Sequence, residues 1–130
     1  MEFAIETSDR LTAVDVTTDI ESIIPGSLES GICVCTVQHT TAALIVQEAE
    51  PRLLEDLESF LADVVPDTGW AHDQLDGNAD AHLRAALLGP SVTVPVSDGE
   101  LALGTWQSIL LVECDGPRRR SVTVRALPGV

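Results

Sequence analysis

The chain holds three histidines, and each sits beside groups that bind ions or move protons. His39 lies in VQHTTAAL, ahead of the hydroxyls of Thr40 and Thr41. His72 and His82 fall in WAHDQLDGNADAH, Trp70 to His82, among Asp73, Asp76, Asp80 and the amide of Asn78. Neutral imidazole suits zinc, iron or nickel better than magnesium, which takes oxygen ligands. Three imidazoles would leave a coordination position open for water or substrate. Asp73, Asp76 and Asp80 could then accept hydrogen bonds from the far ring nitrogens. No local spacing of the H-x-x-x-H kind joins the three rings, so only the tertiary fold can bring them together.

A second group is DGPRRR, Asp115 to Arg120, with three of the seven positive charges. Arginine's planar fork suits phosphate or carboxylate. Arg118 and Arg120 alternate and can share one strand face. The competing reading is a hairpin turn whose arginines pair with surface acids. In LDGNADAH, Asp76-Gly77-Asn78 reads as a turn and helix cap, and a helix start also offers free N–H groups to an anion. Gly104, in GELALGTWQ, sits inside a strand pattern and suggests a bulge or a close backbone approach. Gln107 faces a ligand or pairs within the sheet. Glu48 is an acid, a base or a cap.

These residues need elements to position them. FAIE and LTAVDVTT alternate as strands, with TSDR as their turn. Asp19 can cap a short helix reaching Glu21 and Ile24, stopped by Pro25-Gly26. GICVCTV is a third strand and AALIV a fourth. In PRLLEDLESFLADVV, Leu53, Leu54, Leu57, Phe60, Leu61 and Val64 recur at three and four, which predicts an amphipathic helix opened by Pro51 and stopped by Pro66. Asp67 to Gly77 reads as polar loop. ADAHLRAALL is a second helix, ended by Gly89-Pro90, with His82 near its positive end. SVTVPV, ELAL, WQSILLVEC and RRSVTVRAL read as further strands. The sum is α+β: one strand-rich domain over 1–130, with mostly antiparallel sheets in a sandwich-like arrangement and two main helices.

At 130 residues and 45% hydrophobic, the chain suits a single domain with a real core. Its 21 acidic against 7 basic residues give −14, which repels phosphate backbones and disfavours nucleic acid. All the basic residues are arginine. An acidic, lysine-free surface is what a high-salt cytoplasm favours; GC-rich codon bias is the alternative. No apolar run is long enough to span a membrane and the N-terminus has no signal-peptide pattern, so the expectation is cytoplasmic with no membrane. Cys33, Cys35 and Cys114 are an odd number, which excludes a complete disulfide framework. Cys33 and Cys35 point the same way on a strand and read as small buried apolar residues rather than a metal or redox pair.

In order, HTTAAL, Glu48, His72 with DGNADAHL, LGPS, DGELALGTWQSI and DGPRRR together resemble the YjbQ family. That family was long catalogued as uncharacterised and later linked to thiamine phosphate synthesis. The resemblance spans nearly the whole chain and is weakest over the first 25 residues. It implies an α+β homotrimer with sites near subunit junctions. It places family-signature residues at His39, Thr40, Thr41, Glu48, His72, Asp76, Asn78, His82, Gly104, Gln107, Asp115, Arg118 and Arg120, and implies that the histidines gather around a divalent metal. The ligand type points to zinc, with magnesium kept open by Asp73, Asp76 and Asp115. The implied activity joins hydroxymethylpyrimidine diphosphate to a thiazole phosphate and releases pyrophosphate, generally as a secondary activity. The expected partner is thus a phosphorylated small molecule. Arg118, Arg120, Thr40, Thr41, Asn78 and Gln107 are the expected phosphate contacts, and His39, Glu48, His72, Asp76 and His82 the catalytic set. Gln47 departs from the family's usual asparagine. The same histidines also fit a metal-dependent phosphohydrolase or a non-enzymatic metal- or metabolite-binding protein.

Overall fold

A computed structural model describes residues 1–129. Eight strands form two antiparallel sheets. They are β1 (Glu2–Glu6), β2 (Thr12–Asp15), β3 (Ser30–Val37), β4 (Ala42–Gln47), β5 (Ser91–Ser97), β6 (Glu100–Leu101), β7 (Ser108–Glu113) and β8 (Arg119–Pro128). One sheet runs β1-β8-β3-β5-β6 and the other β2-β7-β4. The helices are α1 (Thr17–Glu21), α2 (Pro51–Val64) and α3 (Ala79–Leu88), with a 3-10 turn at Ala71–Gln74.

The layers follow from strand alternation. Cys33, Cys35 and Val37 of β3 point into the core with Val94 and Val96 of β5 and Val122 and Val124 of β8. Leu44, Ile109 and Leu111 meet them from the smaller sheet, so the sheets form a sandwich. The other face of the smaller sheet, Ala43, Val112 and Cys114, packs on Leu61 of α2 and on Ala81 and Ala85 of α3. The cysteines behave as apolar filler. All three are fully buried and unbridged, Cys33 and Cys35 sulfurs lie 3.6 Å apart, and burial pushes the Cys114 thiol up to about 11.

Several boundaries differ from the sequence expectation for physical reasons. The first helix begins at Thr17, not after Asp19. The carboxylate of Asp15 accepts from the Thr17 amide and hydroxyl at 3.0 and 2.6 Å, and Thr17 Oγ1 in turn accepts from the Ile109 amide. The segment read as loop before α3 contains the 3-10 turn, pinned by Asp73 Oδ2 accepting from the Trp70 amide. ELAL is a strand only at Glu100–Leu101. Beyond it the chain turns, and Gly104 N–H donates to Gln107 Oε1 at 2.8 Å. Gln107 therefore closes this turn through its acceptor, Oε1, while its Nε2 donor is not used in that bond, and Gly104 is not a strand bulge.

The apolar stripe of α2 is wider than the sheet covers. Glu50, not Glu48, caps this helix by accepting from the Leu53 amide at 2.7 Å. Leu61 is the helix's fully buried position, while Phe60 is 57% and Val64 47% exposed. No helix among the described residues is long and apolar enough to cross a membrane.

Candidate functional site

Helix α3 is the centre of the site. It starts at Ala79 and faces β4, which places His82 on its outer side while Ala81 and Ala85 pack inward. His82 separates two recesses. On one side, a recess of about 320 Å³ is bounded by Trp70, His72 and Leu83. On the other, one of about 340 Å³ is bounded by His39, Thr40, Ala42 and Pro90. The rings of His72 and His82 meet edge to face, with centroids 4.9 Å apart. The fold thus brings the three histidines to adjoining hollows around one helix.

Their nitrogens are not equivalent. His39 Nε2 accepts from the Ser121 backbone N–H at 3.0 Å. Burial, then the nearby charge of Arg120, hold the His39 imidazole below its ordinary pKa, with Glu113 opposing them. His72 Nε2 is buried and has no hydrogen-bond partner among the described residues. Asp76 stands 3.8 Å from it, too far for a hydrogen bond.

The start of α3 departs from the expected cap. Asn78 makes no side-chain cap bond; Asp73 Oδ1 receives the Ala79 amide instead, at 3.3 Å. The Asn78 amide crosses to Asp115, Nδ2 donating to Oδ2 at 3.0 Å. This bond fixes the amide's orientation and leaves Asn78 Oδ1 buried and unpartnered. Two orphaned polar atoms, His72 Nε2 and Asn78 Oδ1, therefore flank the same helix start. A buried polar atom without a partner is costly, so both are places for a ligand to bond.

The two arginines expected at a phosphate part company. Arg118 precedes β8, is half exposed, and donates from Nε and Nη2 to Asp115 at 2.8 and 2.9 Å. It stands at the helix start through the Asp115 carboxylate it shares with Asn78. Arg120 has the inward parity of Val122 and Val124 and is buried with them. Its guanidinium makes a two-point pair with the fully buried Glu113 and also donates to the Thr41 hydroxyl and carbonyl. Arg120 and Thr41 thus form a structural cluster beneath the His39 loop and are not open to phosphate. Thr40 remains exposed at the recess.

Asp80 is likewise not behind a histidine. It is buried with Arg84, which donates to it at 2.7 Å, and Arg10 forks onto both its oxygens at 2.9 and 3.0 Å. Arg84 also donates to the carbonyls of Leu61 and Val65 at the end of α2. Arg10, Arg84 and Glu113 had no signal in the sequence beyond their charge.

Glu48 lies at the other end of β4. It borders a groove of about 280 Å³ with Leu53, Leu57 and Phe60, and a second recess with Trp106 and Thr105. Ala42 borders the His39 recess, and the six residues to Glu48 span roughly 20 Å of strand. Within one chain, neither Glu48 nor Gln107 shares the histidine recesses.

Within one chain the three histidines are not gathered as a ready three-ligand set. Among the described residues no group of three His, Cys, Asp or Glu side chains stands ready to hold an ion, and His39 Nε2 is engaged by Ser121. His72 and His82 offer two imidazoles at most.

Comparison with known proteins gives the family and the fold. A family model described as UPF0047 protein YjbQ-like matches residues 1–129. A UPF0047 protein of Archaeoglobus fulgidus is 48% identical over 128 residues, covering 98% of this chain and all of the relative. The crystal structure of a hypothetical protein from Aeropyrum pernix K1 superposes with TM-score 0.94 at 44% identity, covering 99% and 98% of the two chains. A YbjQ-like protein of unknown function from Sulfolobus solfataricus P2 superposes at 0.95 with 39% identity, covering 99% and 96%.

Proposed function

The chain belongs to the UPF0047 protein YjbQ-like family, and from that premise we propose that it is a small enzyme acting on phosphorylated small molecules at the start of α3. The best named case is a thiamine phosphate synthase-like transfer, in which hydroxymethylpyrimidine diphosphate is joined to a thiazole phosphate and pyrophosphate departs. The observation that carries this reading is the unpartnered His72 Nε2 in the recess shared with His82 at the start of α3, with Arg118 held nearby through Asp115. Asn78 Oδ1, which can only accept, is left for a donor such as the pyrimidine amino group. A helix start and a guanidinium stabilise departing negative charge, and imidazoles can protonate the leaving oxygen.

The working form on this reading is a homotrimer in which Glu48 of one copy approaches the histidine recess of another. Its support is the distance along β4 and the apolar surface around Glu48, where Trp106 is 74% exposed.

A second reading is a metal-dependent phosphohydrolase, favoured by the free Nε2 of His72. The His72–His82 pair would hold a divalent ion with water and substrate oxygens completing its shell. Zinc suits the rings, and magnesium suits Asp73 and Asp76.

One experiment separates these readings. Purified protein is given the pyrimidine diphosphate and thiazole phosphate together, or a simple phosphate ester, with and without zinc, manganese or magnesium. Coupled product with pyrophosphate supports transfer. Phosphate release from the ester alone supports hydrolysis. Tight ligand binding with no turnover would make the protein a metal or metabolite binder.

A further inference from the structure

We propose that His39 meets the substrate as a neutral imidazole locked in its Nδ1–H form, so that it donates a hydrogen bond to an anionic phosphoryl oxygen and does not ligate a metal. This deepens, and rests on, the reading of the site as one for phosphorylated molecules.

The inference starts from one bond. The Ser121 amide can only donate, so His39 Nε2 must accept. A neutral imidazole has one acceptor and one donor nitrogen. With Nε2 accepting, the proton lies on Nδ1. A protonated ring would turn Nε2 into a donor facing an N–H and would break the contact. The neighbours disfavour that proton as well: the ring is partly buried, and the charge of Arg120 outweighs that of Glu113, its buried partner. Arg118 adds to the same effect.

Nδ1 has no bond within the protein among the described residues, and it is not among the buried atoms left without a partner. It is therefore open to a ligand in the recess that His39 shares with Thr40 and His82. The cause lies in the chain path. His39 follows β3 by two residues and keeps its parity, while Ser121 sits on β8, the strand paired with β3. The ring thus caps the sheet where that ladder ends. Backbone geometry, not a mobile side chain, sets the tautomer, and it does so before any substrate arrives.

The test uses pyrophosphate as probe and two substitutions that divide the ring. Asparagine can place an amide N–H near the position of Nδ1, whereas glutamine can place its carbonyl near Nε2. His39→Asn should bind pyrophosphate within about threefold of the unaltered protein, and His39→Gln more weakly by about tenfold or more, as loss of a charge-assisted bond implies. Nitrogen-15 spectra of the unaltered protein should show His39 protonated at Nδ1 and bare at Nε2, with the Nδ1–H signal moving on adding pyrophosphate. Equal affinity of His39→Gln and unaltered protein would overturn the proposal. So would a proton found on Nε2, or zinc shifting the His39 nitrogens as it shifts those of a ligand. If the unaltered protein binds no pyrophosphate, the anion reading of the site falls and takes the substrate role of His39 with it, while the spectra still decide the tautomer.

Discussion

Asn78 and Asp115 are bound side chain to side chain at 3.0 Å, across the gap between the start of α3 and the β7–β8 turn. The amide that would ordinarily close its own helix instead joins two distant segments and leaves its oxygen buried without a partner.

Asn78→Asp tests that use of the amide. Asn78 makes no cap bond, so stability should register only the lost bond to Asp115, about 1–3 kcal/mol. The new carboxylate would face Asp115 and repel an anion. Pyrophosphate affinity, measured by calorimetry, should fall by about tenfold or more. Unchanged affinity would remove Asn78 from the binding site.

Arg120→Ala addresses the buried pair. Removing the guanidinium strands Glu113, which is fully buried, and breaking such a pair costs about 3–5 kcal/mol. Urea unfolding should register that loss. A change under about 1 kcal/mol would mean that Glu113 finds other partners or takes a proton at little cost.

Acid should weaken the fold in a defined order. Burial and Arg120 hold His39 below its ordinary value of 6.5. The hydrogen bonds from Arg10 hold Asp80 below 3.8 against its burial. Burial works against the charge of Glu113, yet Arg120, the Asp115 amide and the Thr7 hydroxyl keep it below 4.5. A depressed value in the folded state means that the unfolded chain takes up the proton first. The three contributions are thus complete above the ordinary values and are lost as pH falls through the folded ones. In about 1 M KCl, where surface repulsion is screened, the melting temperature should be level from neutral pH upward. It should decline gently below 6.5 and steeply below 4.5. A melting temperature that rises on acidification would contradict this order.

Salt itself should stabilise the protein. A net charge of −14 gives self-repulsion that shrinks with the Debye length, from about 10 Å at 0.1 M to about 3 Å at 1 M. Melting curves in KCl should move upward over that range. A flat response would remove the high-salt reading of the acidic, lysine-free surface.

Glu48 supplies a test of assembly. Light scattering should give about three times the 13.8 kDa chain mass, and Trp106→Asp should lower it toward one chain by placing a charge on an apolar contact. Glu48→Gln and His82→Ala trimers, each inactive alone, should regain partial activity when unfolded and refolded together. No regain would place both residues in a site built from one chain.

Much of the framework was legible because alternation and helical spacing are local. SVTVPV, AALIV and ADAHLRAALL each declared a strand or helix by pattern, and α3 spans the expected ten residues. The site was legible only in part. Nothing local shows that β8 begins at Arg119, yet that one-residue matter sends Arg120 into the core and leaves Arg118 outside. Asn78 reads as a cap because asparagine usually is one, and only the fold reveals Asp73 in that role. Glu113 sits in the apolar run SILLVEC, and its partner arrives from the next strand. Arg10 and Asp80 are 70 residues apart, a separation at which pattern carries no information.

The hold of Arg84 on the Leu61 and Val65 carbonyls joins the end of α2 to α3 through a single side chain. Neither helix can fray at that junction without the other losing a bond. Amide protection in 61–65 and 79–85 is therefore expected to rise and fall together, as one cooperative unit. His82 rides on that unit, so its local mobility is set from the far side of the helical layer.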